Sequence, residues 1–315
     1  MSPMKIMQSP RRSRAGFTMV EIMVAIVLLS LVVGALLGVV AEQQRFYDGA
    51  SEVMEVRDNL RRVGDLLPAE LRGIAPREGD IIGMSDSAID FRAPTGASVI
   101  CTINLARTII TIPPVTLASD AGLSSWTLPP LMSDSLFVFD SRDSLLDTLT
   151  THQITAATAV GACPTSTGFT ATAAEAAAGR TIMLSPALSD GVPVGAPIRF
   201  YRRVRYSLYQ SPTDRKWYLG YRDFVPGRAP QWSAIQSVAG PLLPYAANGA
   251  TGLRFTYRDS VGAALTAIAD APRVRRIEID VRAQSATVVR TSGSRRSANG
   301  HYQDSLRTSV ALRNY

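Results

Sequence analysis

One carboxylate stands where a charge is hard to keep. Glu21 is the only charged residue in the apolar run from Phe17 to Ala41, and a carboxylate at the centre of a membrane helix costs on the order of 3 kcal/mol on insertion scales. Its place, close behind Phe17, leaves two readings. Either the side chain snorkels to water at the membrane edge, or it meets a cation. A chain end newly made at Phe17 would supply one as an α-ammonium group, in the same chain or in a neighbour. Opposite charges in a low-dielectric medium attract strongly, and leaving either alone is unfavourable.

Other residue types that could do chemistry are sparse. Cys101 and Cys163 are the two cysteines, without a CxxC or metal-ligand spacing. Behind a membrane signal they reach an oxidising compartment. There they pair, closing a long loop worth about 4 kcal/mol in the chain-entropy picture, or they stay as two separate buried thiols. His152 and His301, the only histidines, read as ordinary loop or surface residues. Asp140, Asp143 and Asp147 lack the spacing and turn glycine of a calcium loop. The arginines 199, 202, 203 and 205, with 273, 275 and 276, read as a solvated strand face, DNA contact being the alternative. No phosphate-binding loop, zinc-protease motif, nucleophile elbow or dinucleotide turn occurs. The expectation is a protein that is not an enzyme and needs no metal or cofactor.

The elements that must position Glu21 are legible around it. Lys5, Arg11, Arg12 and Arg14 precede the run with no acid among them. Without these four the side-chain charge falls from +7 to +3, too mild to argue for nucleic acid. All basic residues but Lys5 and Lys216 are arginine, a composition bias rather than a site. The run exceeds the ~20 residues that span a bilayer. It also exceeds the about 7–15 of a secretory signal core, and no small-residue cleavage site follows it. The basic segment stays cytoplasmic by the positive-inside rule, and everything after Ala41 is exported.

The string Arg14-Ala15-Gly16-Phe17-Thr18-Met19-Val20-Glu21-Ile22 resembles the signal of type IV prepilins and type II secretion pseudopilins: a basic leader, Gly at the cut, Phe after it, a Glu at the fifth position past the cut, and an apolar helix. The resemblance implies that a prepilin peptidase in the inner membrane cuts between Gly16 and Phe17 and methylates the Phe17 amine. It implies that Glu21 neutralises the Phe17 amine of an adjacent subunit as it enters a filament. Ser30, Gly34 and Gly38 share one helix face and fit a small-residue packing seam; in the family this part of the helix loosens inside the filament.

Beyond the membrane the helical pattern continues. Phe46, Val53, Leu60 and Leu67 repeat every seven residues, with Gly49, Val56 and Val63 between them and charged residues on the other faces. The stripe is expected to pack on the protein's own sheet, with Pro68 kinking or ending the helix, or Gly73 and Pro76 stopping it later. Period-two runs follow: Ala88–Arg92, Ser98–Leu105, Arg107–Ile112, Ser135–Asp140, Thr181–Leu184, Ile198–Gln210, Arg215–Phe224, Gly252–Arg258, Val274–Ala283 and Ser305–Arg313. Strands without interleaved helices predict an antiparallel sheet, and a helix covering one face makes the class α+β. The organisation read from this is a removed leader (1–16), a membrane helix (17–41), its amphipathic continuation (42–75) and an exported head (76–315), with a small-residue insertion near 155–179.

Gly252-Leu-Arg-Phe-Thr-Tyr-Arg-Asp, Arg273-Val-Arg-Arg-Ile-Glu-Ile-Asp-Val and Val310-Ala-Leu-Arg-Asn are similar to large minor pilins of the PilW kind and to J-type pseudopilins. This implies partners among other pilins or pseudopilins and a place at a filament tip or in the complex that primes assembly. A pilus-tip adhesin or DNA receptor on the same anchor, and an exported domain on a plain tether, are the competing readings.

Overall fold

The computed structural model describes residues 18–140, 148–225, 229, 231–247, 249–289 and 300–312. Helix α1 (Met19–Leu71) has 53 residues, about 80 Å at 1.5 Å per residue. Its first half is apolar all round and exposed, whereas Val56, Leu60, Val63, Leu67 and Leu71 in its second half are buried. The packed stripe is shorter than the seven-residue pattern: Val53 is partly buried, but Phe46 is 71% exposed and lies outside it. Pro68 does not end the helix, which reaches Leu71. Burial of Leu67, Pro68 and Leu71 together outweighs the local cost of a proline there.

The strands in chain order are β1 (Ile81–Met84), β2 (Ala88–Val99), β3 (Thr102–Ile103), β4 (Ile109–Ile112), β5 (Ser125–Trp126), β6 (Ser135–Asp140), β7 (Thr148–Gly161) and β8 (Gly179–Ser185). They continue with β9 (Pro197–Gln210), β10 (Trp217–Asp223), β11 (Gln236–Leu242), β12 (Leu253–Arg258), β13 (Ala264–Leu265), β14 (Arg276–Val288) and β15 (His301–Ala311). All pairings between these strands are antiparallel. The chain is therefore α+β, one long helix packed on a large antiparallel sheet.

β2 and β9 organise the whole. They pair along their length, from Ala88 opposite Ser207 to Val99 opposite Pro197. The other edge of β9 is divided: Ile198–Tyr201 takes β6 and Val204–Gln210 takes β10. From β10 the sheet runs on through β11, β14, β12 and β13, with β15 on the other side of β14. From β6 it runs through β7, β8, β4 and β3. Two hydrophobic cores result. The first joins the helix stripe to Phe91, Val204, Leu219, Phe255, Ile277 and Ile279. The second, made by Ile100, Ile110, Leu136, Ile154, Ile182 and Phe200, contains no residue of α1.

Polar contacts fix the helix on the first core. Asn59 donates from Nδ2 to the Gly240 carbonyl at 2.8 Å. The Glu52 carboxylate accepts from the Ala286 N–H at 2.8 Å and from the Thr287 hydroxyl at 2.9 Å. Gly64 faces Leu306 so closely that a β-carbon there would collide with its side chain.

Asp80 closes the turn after the helix. It is 2% exposed, Oδ2 accepts from the Ala75 N–H at 2.9 Å, and Oδ1 makes no hydrogen bond among the described residues, the Arg92 guanidinium standing 3.9 Å away. Burial pushes its pKa up to about 6, against the lowering effects of the Ala75 N–H and Arg92. The fold thus binds this proton more tightly than the unfolded chain does. Its stabilising contribution is present below the ordinary carboxylate pKa and is lost as pH rises through about 6. Between pH 4 and pH 7 the wild type should lose on the order of 2–3 kcal/mol relative to Asp80→Asn, read from urea midpoints of the two proteins at each pH.

Residues 155–161, within the segment read as a small-residue insertion, form the second half of β7. The short helix α2 (Ala173–Ala177) follows, with a capping box between Thr172 and Glu175.

Candidate processing and assembly site

Gly16 and Phe17 lie outside the described residues, as do Asp143 and Asp147. The site is therefore seen from Thr18 onward. Thr18 is the N-cap of α1, extended at φ −75° and ψ 150°, and its hydroxyl accepts from the Glu21 N–H at 3.3 Å. Glu21 is the acidic residue of the first helical turn, the end where the helix dipole favours a negative charge. It is exposed in the isolated chain. The Thr-x-x-Glu spacing of residues 18–21 is the sequence signature of a helix start. That signal fixes where the helix begins, and reading Thr18 only as part of a longer motif misses it.

From Met19 to Ala41 the helix is about 33 Å long, close to the ~30 Å hydrocarbon thickness of a bilayer. Its mean hydropathy over an 18-residue window reaches 2.9, and none of that stretch is buried. The helix is unbroken through Ser30, Gly34 and Gly38. Ser30 donates to the Val27 carbonyl at 2.8 Å. A β-carbon added at Gly34 or Gly38 would meet nothing within 4 Å. The face they form is thus open to a neighbour, and no contact among the described residues accounts for it.

The head arranges its charged and nucleophilic groups differently from a free basic face. Arg202 is 6% exposed and grips Asp134 with both arms, at 2.9 and 2.8 Å. Arg203 and Arg205 share the buried Asp90, and both guanidinium groups lie over the Trp232 ring, at 5.1 and 4.4 Å. Arg273 pairs with Asp259 and Asp270, and Arg276 with Glu278. The solvated-face reading fails for Arg202, Arg203 and Arg205, whose aspartates lie far away in the sequence; it holds for Arg273 and Arg276, whose side chains are 61% and 46% exposed and whose partners Asp270 and Glu278 are near neighbours in the chain. His152 is not a loop residue. It is buried in β7, with Nδ1 at 2.9 Å from the Pro186 carbonyl and Nε2 at 3.0 Å from the Thr150 hydroxyl. His301 begins β15, its Nδ1 2.9 Å from the Ser285 carbonyl. Among the described residues no group of His, Cys, Asp or Glu is placed to hold a metal ion.

Cys101 and Cys163 are joined in a disulfide, 62 residues apart in sequence with Cα atoms 5.4 Å apart. Both are fully buried, and the bond ties the start of β3 to the loop after β7. Replacing both cysteines by serine should lower unfolding stability by about 4 kcal/mol. The check is the urea midpoint, and reductant should produce the same shift in the wild type and none in the double variant.

The family model described as prokaryotic N-terminal methylation motif matches residues 11–37. No curated protein and no solved structure matches the chain. The matched segment contains Gly16, Phe17, the Thr18 cap, Glu21 and the Ser30–Gly34 part of the seam. It therefore supports the prepilin-type family for this chain: a membrane-anchored, pilin-like protein processed by prepilin peptidase.

Proposed function

We propose that the chain is a minor pilin or pseudopilin, processed at Gly16–Phe17 and incorporated into a type IV pilus or a type II secretion pseudopilus, at its tip or in the complex that primes it. The observation that carries this reading is the methylation-motif segment opening a helix that is bare through its apolar half and buried only beneath a large head. A bare 33 Å apolar cylinder needs lipid first and neighbouring helices later. A head with two cores is bulky for a tightly packed shaft and suits an end of the filament. The same geometry supports inner-membrane insertion with the leader cytoplasmic and the head periplasmic, and a structural rather than catalytic role. The DNA-receptor reading is disfavoured by the engagement of Arg202, Arg203 and Arg205 with aspartates.

The test is mass spectrometry of the N-terminal peptide of the exported form. The expected first residue is Phe17, carrying one N-methyl group. A protein that works in the envelope with residues 1–16 still attached would overturn the reading.

A further inference from the structure

A cleft of about 330 Å³ opens between the last turns of α1 and strands β2, β9, β10 and β11. It lies beside the point where β9 passes from one core to the other, and its volume falls in the range of small-molecule sites. Several of its polar groups are unsatisfied among the described residues. Tyr206 is 4% exposed as a residue, and its hydroxyl makes no hydrogen bond among the described residues. Glu70 reaches into the cleft from the helix with no ion pair or hydrogen bond among the described residues, and burial raises its pKa. The Thr95 hydroxyl, also on the cleft wall, is buried without a partner among the described residues, whereas Arg202 and Tyr221 are already engaged. Arg202 is held by Asp134 and by the Pro129 carbonyl at 3.0 Å. Tyr221 donates to Asp223. Glu70 and Asp223 both act on Tyr206 as negative charges. With Asp134 neutralised by Arg202, the surroundings are net negative. The rings of Tyr206 and Tyr221 stand 5.2 Å apart, and Leu66 and Val238 supply an apolar wall.

We propose that this cleft binds an organic cation, a guanidinium or alkylammonium head on a short apolar stem. The head meets the Glu70 carboxylate and the Tyr206 hydroxyl, and its charge is further favoured by the tyrosine rings. The stem lies against Leu66 and Val238. A metal ion is the poorer occupant, because one free carboxylate and a phenol fall short of the oxygen donors a hard cation takes. The cation can be a free solute or an arginine or lysine side chain of a neighbouring protein. The proposal does not depend on the pilus reading.

Calorimetric titration of the full chain in detergent micelles tests it, with butylguanidinium, the neutral analogue butylurea and the peptide acetyl-Gly-Arg-Gly-amide. Butylguanidinium should saturate the protein and bind at least about tenfold tighter than butylurea. Glu70→Gln should weaken it by about tenfold or more, and Tyr206→Phe by about 3- to 10-fold. Thermal melts show whether each variant is folded; if Glu70→Gln is not, Tyr206→Phe and the butylurea comparison decide. Tighter binding of the peptide than of butylguanidinium identifies a partner's side chain as the source, and the reverse a free solute. Saturation by neither cation, equal binding of butylurea, or undiminished binding to folded Glu70→Gln would overturn the proposal.

Discussion

Gly16→Glu leaves the leader attached. A peptidase must draw the bond between residues 16 and 17 into its site in one geometry, and a misplacement of about 1 Å costs on the order of 100-fold in rate. Glycine presents no side chain at that position. Glutamate adds both bulk and a charge at the membrane surface, two residues before the Thr18 cap. The expected outcome is a fall in cleavage of about 100-fold or more, with the exported form replaced by a species whose mass includes residues 1–16. The apolar helix is untouched, so membrane insertion stays at the wild-type level. Normal cleavage of this variant would show that the bond is cut elsewhere.

Glu21→Val should separate cutting from assembly. The substitution removes the one charge of the apolar run and makes insertion easier, so the protein is still made and processed. In the proposed assembly, what it removes is the charge that answers a neighbour's new α-amine. Leaving one partner of a pair alone in low dielectric costs about 3–5 kcal/mol, a deficit on the order of 100-fold or more in an association equilibrium. Incorporation into filaments, measured as the ratio of filament-bound to membrane-bound protein, should fall accordingly. Glu21→Gln distinguishes the two roles open to this carboxylate. It keeps a polar side chain in the first turn beneath the Thr18 cap but carries no charge. It should assemble as poorly as Glu21→Val if charge pairing is the function, and normally if Glu21 only favours the helix start.

The helix was legible because its two halves carry unambiguous patterns: an uninterrupted apolar run, then a seven-residue stripe. The stripe failed only where the head no longer covers it, at Phe46. Of the two stops the sequence offers, the later one is nearer the outcome: the helix passes Pro68, which is buried, and ends at Leu71, just before Gly73. Strands with β-branched or aromatic residues in alternation, such as β9 and β14, were also plain. β7 was not, since Thr-Ala-Ala-Thr-Ala carries little apolar contrast and its place is set by β6 and β8 on either side. β11 was hidden by Gly240-Pro241, which reads as a break, although the strand is irregular there rather than ended. Single-residue anchors such as Asn59 and Asp80 look like surface residues in sequence, because the carbonyl or N–H that answers each is defined only by the fold. At the processing end, Glu21 and the apolar run could be read from the chain, and the Thr18 cap was present in the same letters.

The shared ribbon of β2 and β9 decides how the head would behave under mechanical load. The second core hangs between these two strands, so a pull at its far end draws on both in the same direction and does not unzip one from the other. β2 passes that load along the chain itself, through β1 to α1, while β9 passes it to its register with β10, from Val204 opposite Asp223 to Gln210 opposite Trp217. The outer part of the head is thereby tied to the spine twice, once by the continuous chain and once by paired strands.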